Sequence, residues 1–149
     1  MKSSSTELVR LFLGAAYATA GCIKAFEFHS FLDDIRKFDI VPTSLLVPAG
    51  FAIIGAEIIL GSSLIVKFRT PLMAFLLGIM TSLFTMGLLV LSWSGQAANC
   101  GCFGSFMPER VGAVVITRDI LLIAGCFWLA EKYRLENRYD RSIRWRKKK

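Results

Sequence analysis

Charge is what this 149-residue sequence has least of for its size. Asp, Glu, Lys and Arg make up 19% of it against 54% hydrophobic residues, whereas a soluble domain carries about 25% charged residues. Mean hydropathy is +0.55, so the apolar excess has to face lipid and an ordinary soluble domain is excluded. Nothing repeats at periods of about 20 to 50 residues, which rules out a solenoid array. Histidine occurs once, as His29, and proline four times.

Long apolar runs are what the chain does have. A helix rising ~1.5 Å per residue needs about 20 apolar residues to cross a ~30 Å hydrocarbon core. Four runs qualify: residues 8–26, 45–66, 72–93 and 111–130. They lack the alternation of barrel strands, and a lipid-exposed backbone must satisfy its own hydrogen bonds, so each predicts a helix. Pro42, Pro48 and Pro71 fall at the starts of the second and third helices, and Pro108 just before the fourth, where a missing amide donor costs little. The expectation is an all-α, integral membrane four-helix bundle over residues 1–131, followed by a basic tail over 132–149.

Orientation follows from Lys and Arg beside the spans. Lys2 and Arg10 flank the first run, Lys67 and Arg69 fill the turn between the second and third, and the tail holds nine cations. These predict both termini in the cytoplasm, N-in/C-in. Between the first two runs Arg36 and Lys37 are diluted by Asp33, Asp34 and Asp39, and the loop after the third run has only Arg110, so both loops are expected outside. The net charge of +7 comes largely from the tail, which suits anionic lipid headgroups. Nucleic acid is disfavoured, because no recognised binding motif accompanies the charge.

Thr19-Ala20-Gly21-Cys22 is similar to a lipoprotein cleavage box. Against processing, Thr stands where a bulky aliphatic is usual and Glu7 interrupts the basic region. Gly14, Ala18 and Cys22 form a small-residue stripe, which predicts Cys22 as a packing residue on a helix interface.

Chemistry concentrates in Asn99-Cys100-Gly101-Cys102-Phe103-Gly104, expected in an external loop where disulfides persist. Two cysteines separated by one flexible Gly can close a small, strained ring, and strain makes a disulfide easier to exchange. A static bridge or a pair of loop thiols is the alternative. A soft-metal site, for example for Cu(I), is a third reading; it lacks further external Cys and has only His29 to draw on.

The second signal is four ionisable residues inside apolar runs, Lys24, Glu57, Arg118 and Asp119, each costing about 2.5 to 3.5 kcal/mol at mid-membrane. Their spacing predicts Lys24 about one turn from the outer surface, Arg118 and Asp119 about two turns down, and Glu57 about three. Glu57 shares a stripe with Gly50 and Gly61, and Asp119 lies on one face with Cys126. Lys24 or Arg118 is expected to pair with Glu57 or Asp119, giving a structural ion-pair network or a polar pocket for a quinone head or a partner segment.

Arg10, Gly14 and the Gly21-x-x-Lys24 step, Glu57 and Gly61, the CGCFG string and Arg118-Asp119 together resemble the methylamine utilisation protein MauE family, within the DoxX-like membrane proteins. The resemblance covers nearly everything before the tail. It implies disulfide chemistry outside the cytoplasm, since the type member is needed for maturation of the disulfide-rich small subunit of periplasmic methylamine dehydrogenase, and it implies a thioredoxin-like partner.

The functional expectation is a thiol-disulfide redox protein of the bacterial inner membrane that supports maturation of exported client proteins. Cys100 and Cys102 are its redox pair, and Lys24, Glu57, Arg118 and Asp119 a pocket beneath the loop. Lys24 or Arg118 would favour a thiolate if close to one. Cys22 and Cys126 are expected to be inert packing residues, with a relay across the bilayer as the sharper alternative. A noncatalytic membrane scaffold for a thioredoxin-like partner and a small transporter are the rival classes, the latter without broken helices or repeat symmetry to support it.

Overall fold

The computed structural model describes residues 4–37, 42–93 and 113–146. They are helical apart from short turns, with no strand among the described residues. The elements are α1 (Ser4–Phe26), α2 (Phe28–Lys37), a single 3-10 turn (Thr43–Leu45), α3 (Leu46–Ile65), α4 (Thr70–Trp93) and α5 (Ala113–Arg146). Three stretches among the described residues are long and apolar enough to cross a membrane: Ser4–Phe26, Thr43–Ile65 and Thr70–Val90. The fourth predicted run begins at residue 111, outside the described residues.

Two pairings organise the molecule, α1 on α3 and α4 on α5, joined by smaller contacts of α3 with α4 and of α1 with α5. Apolar transfer does not drive association between helices in lipid, so close packing must do it. The α1–α3 seam supplies that closeness. A Cβ added to Gly61 would lie 2.7 Å from the Ala18 amide nitrogen, and one on Gly14 would lie 2.9 Å from the Gly61 carbonyl oxygen. Gly21 belongs to the same seam, its Cβ position 3.1 Å from that of Glu57. The predicted stripe therefore needs one correction. Cys22 is exposed, because it sits about 100° around the helix from Gly21, and Gly21 takes the interface place expected for it.

Leu13 and Tyr17 of α1, Leu64 of α3, Ala74 and Leu77 of α4, and Cys126, Leu129 and Tyr133 of α5 form the main core. Large apolar side chains on the outer faces, such as Phe12, Phe51, Leu83 and Leu121, are exposed, as lipid-facing residues should be.

Helix α2 is absent from the sequence reading, which treated residues 27–44 as a loop. Its stripe of Phe28, Phe31, Leu32 and Ile35 recurs at helical spacing, and it docks on Leu46 and Ile54 of α3. Gly50 makes room, since a Cβ there would lie 2.7 Å from Leu32 Cδ2. The chain thus does not leave the packed body at Phe26. Lys24, in the last turn of α1, meets Glu57 about three turns into α3.

Helix α5 runs on without a break through most of the basic tail, to Arg146. Its 34 residues extend about 51 Å, well beyond a ~30 Å hydrocarbon core.

Candidate functional site

Four helices converge on one ammonium group. Lys24 of α1 is buried and pairs with Glu57 Oε1 of α3. Its Nζ also lies over the rings of Phe31 in α2 at 5.4 Å and Phe84 in α4 at 5.7 Å. Ring faces attract a cation most when both are out of water. An ion pair in such a place needs its partners, because removing one leaves a stranded charge at a cost of about 3–5 kcal/mol. The remaining carboxylate oxygen, Glu57 Oε2, is buried and has no hydrogen-bond partner among the described residues.

The second pair is Arg118 with Asp119, adjacent on α5. Arg118 NH2 and Nε donate to Asp119 Oδ1 at 2.9 and 3.1 Å; Asp119 is buried and Arg118 half-buried. Of the pairings open in the sequence, the structure makes Lys24–Glu57 and Arg118–Asp119. The Thr85 hydroxyl of α4 donates to the Thr81 carbonyl at 2.9 Å and lies 3.4 Å from Asp119 Oδ2. One turn along, the Thr81 hydroxyl and Tyr17 OH lie 2.6 Å apart, and the Cys126 thiol donates to Tyr17 OH at 3.8 Å.

Tyr17, Lys24, Glu57, Thr81, Arg118 and Asp119 line a cavity of about 50 Å³. All four ionisable residues picked from the apolar runs of the sequence therefore meet at one place. Tyr17, Thr81 and Thr85 were missed, although Tyr17 stands seven residues before Lys24 on the same face and the two threonines are one turn apart. A polar cavity of that size has room for a few water molecules.

A second polar cluster, also missed, sits at the opposite end of α1. Glu7 receives Arg10 at 3.0 Å, Lys67 at 2.8 Å and the Tyr133 hydroxyl at 2.8 Å. Arg10, read from sequence as a flanking topology signal, is buried. It donates to the carbonyls of Leu64 and Ile65, the latter at 2.7 Å. Lys67 has a φ of 61° and closes α3 in the position where Gly is usual. The Phe68 amide donates to Ser63 O at 2.9 Å and the Lys67 amide to Leu64 O at 3.3 Å. The ion pair with Glu7 fixes the side chain of this strained residue.

Cys100 and Cys102 lie outside the described residues. Cys126 is buried and Cys22 exposed, both as free thiols. No group of three or more metal-ligating side chains occurs among the described residues.

Apolar helices packed around paired internal charges define a helical membrane protein with a polar interior. The family model of the methylamine utilisation protein MauE matches residues 2–131. The chain belongs to that family, and the match ends where the basic tail begins. No curated protein and no solved structure matches it.

Proposed function

We propose that the chain is a thiol-disulfide redox protein of the bacterial inner membrane, supporting maturation of exported proteins through Cys100 and Cys102. In this reading α1, α3, α4 and α5 all span the bilayer, both termini are cytoplasmic, and the segment joining α4 to α5 faces the periplasm. One observation carries the proposal: the cavity holding Lys24, Glu57, Arg118 and Asp119 lies near the end of α5 to which the Cys-Gly-Cys segment connects. Asp119 is six residues into α5, about 9 Å along its axis. Cys100 and Cys102 themselves lie outside the described residues, in the segment that joins α5 at this end.

The reaction is ordinary thiol exchange. A thiolate of a thioredoxin-like dithiol carrier attacks one sulfur of the Cys100–Cys102 disulfide, forming a mixed disulfide and releasing the other sulfur as thiolate. The carrier's second thiolate attacks the mixed disulfide. The carrier leaves oxidised by two electrons and the Cys100/Cys102 pair is reduced by two; the reverse sequence reduces a carrier disulfide. Arg118, half-buried, is the internal cation nearest to the start of α5, and a cation near a thiol favours thiolate.

A noncatalytic scaffold is the second reading, favoured by the pairing of Lys24 with Glu57 and of Arg118 with Asp119, as a purely structural network would have it. A Cys102→Ser variant separates them. A redox protein accumulates a mixed disulfide through Cys100 with a thioredoxin-like protein, released by reductant. A scaffold yields no such adduct.

A further inference from the structure

Glu57 lines the cavity, and its Oε2 is buried with no hydrogen-bond partner among the described residues, a condition it shares there with Glu136 Oε2 alone. A buried polar atom without a partner signals bound water or another missing ligand, and a polar cavity of about 50 Å³ has room for water bound by several groups. We propose that this cavity is a hydrated proton-exchange site, in which water held by Glu57 Oε2 connects that carboxylate to the Tyr17–Thr81 hydroxyl pair and to Asp119, which line the same space.

Every element packed around Glu57 contributes. Lys24 and Tyr17 face the cavity from α1, Thr81 and Phe84 from α4, and Arg118 and Asp119 from α5, while Phe31 of α2 lies under the Lys24 ammonium. With Lys24 and Arg118 protonated and both carboxylates ionised, the four groups sum to zero. Proton uptake at Glu57 would normally strand Lys24. Here the ammonium keeps two aromatic faces, at 5.4 and 5.7 Å, so the cation retains support when the carboxylate is neutralised. The two oxygens of Glu57 are divided accordingly: Oε1 holds Lys24, and Oε2 is free to take a proton.

The step moves a proton and nothing else. An O–H bond forms at Glu57 Oε2 as one breaks in the adjoining water, and that water takes its replacement proton from bulk solvent, to which the reverse step returns it. No electron moves. Thiol exchange requires a thiolate, so a nearby group must hold the proton the thiol gives up; that use of the site rests on the thiol-disulfide reading. The exchange site itself does not.

Infrared difference spectra of the full chain in lipid nanodiscs, recorded across pH steps and between H₂O and D₂O, test it. The expected result is a titrating protonated-carboxyl band that shifts in D₂O, vanishes in Glu57→Gln, and survives in Asp119→Asn with a displaced midpoint. The double variant Cys100→Ser/Cys102→Ser should keep the band, so loss of the redox reading leaves this result standing. Ala16→Leu fills the cavity from its α1 wall while retaining every polar group, and should slow deuterium exchange of the band about tenfold or more; Ala16→Val does the same with less added volume. No titrating carboxyl band, a band indifferent to Glu57→Gln, or wild-type exchange in both Ala16 variants would overturn the proposal.

Discussion

Arg10 in α1 donates to the backbone carbonyl of Ile65 at 2.7 Å, so a side chain from one helix closes the C-terminal end of another. The last carbonyls of a helix lack intrahelical partners, and the negative end of the helix dipole favours a cation there. Arg10 also takes the Leu64 carbonyl and the Glu7 carboxylate. A planar fork of five donors is suited to this; a Lys is not.

Arg10→Ala should therefore destabilise the protein by about 3–5 kcal/mol, the cost of leaving buried partners unpaired. Arg10→Lys should recover only part of it. Thermal unfolding of the purified protein in detergent measures both, and an Arg10→Ala variant as stable as the wild type would contradict the capping role.

Two of the three glycines of α3, Gly61 and Gly55, give a paired test of close packing. Gly61→Ala puts a Cβ 2.7 Å from the Ala18 nitrogen, backbone against backbone, so the helices must part at a cost of about 1–3 kcal/mol. Gly55 has nothing within 4 Å of its Cβ position. Gly55→Ala should be neutral or stabilising by up to about 1 kcal/mol, since Gly is a poor helix residue. The same unfolding assay ranks them, and similar losses at both sites would discount the seam.

Much of this arrangement was legible in the chain. Runs of about 20 apolar residues mark spans because bilayer thickness fixes their length. Lys24, Glu57, Arg118 and Asp119 stood out because charge in such a run is expensive. Which cation met which anion depended on side-chain direction and on how α1 registers against α3, which hydropathy does not record; α2 was hidden as well. Its short stripe sits among Asp33, Asp34, Arg36 and Lys37, which lower the local hydropathy and disguise the segment as a loop. Arg10 misled for a related reason: near the end of a run, a Lys or Arg that marks topology and one that caps a neighbouring helix look alike. Tyr17 and Thr81 are uncharged and carry no cost signal in sequence, so only their 2.6 Å approach reveals them.

Topology can be read with a reporter active only outside the cytoplasm. It should work when fused near Phe38 or Ser105 and fail near Lys67 or after Lys149. Lys67 and Arg69 turn the chain between α3 and α4, at the end where Glu7 and Tyr133 also meet. Short basic turns stay in the cytoplasm. The opposite pattern of activity would reverse the molecule and put the Cys-Gly-Cys segment in a reducing compartment.

The redox proposal makes its own demand, because a catalytic pair must cycle and a structural bridge need not. Cys100 and Cys102 should be recovered from membranes as a mixture of oxidised and reduced forms, and the ratio should shift when respiration or the thioredoxin-like partner is removed. Structural disulfides usually have potentials below about −300 mV and resist exchange, whereas strained and exposed ones lie higher. Differential alkylation read by mass shift measures the ratio directly. Cys22 and Cys126 serve as internal references: both are free thiols, and Cys126, buried against Tyr17, should stay reduced throughout. Cys100→Ser and Cys102→Ser should each abolish activity while the protein still accumulates, since the α1–α3 and α4–α5 pairings use neither residue. Full activity in either variant, or a pair whose redox state never changes, would remove the catalytic reading and leave the scaffold in its place.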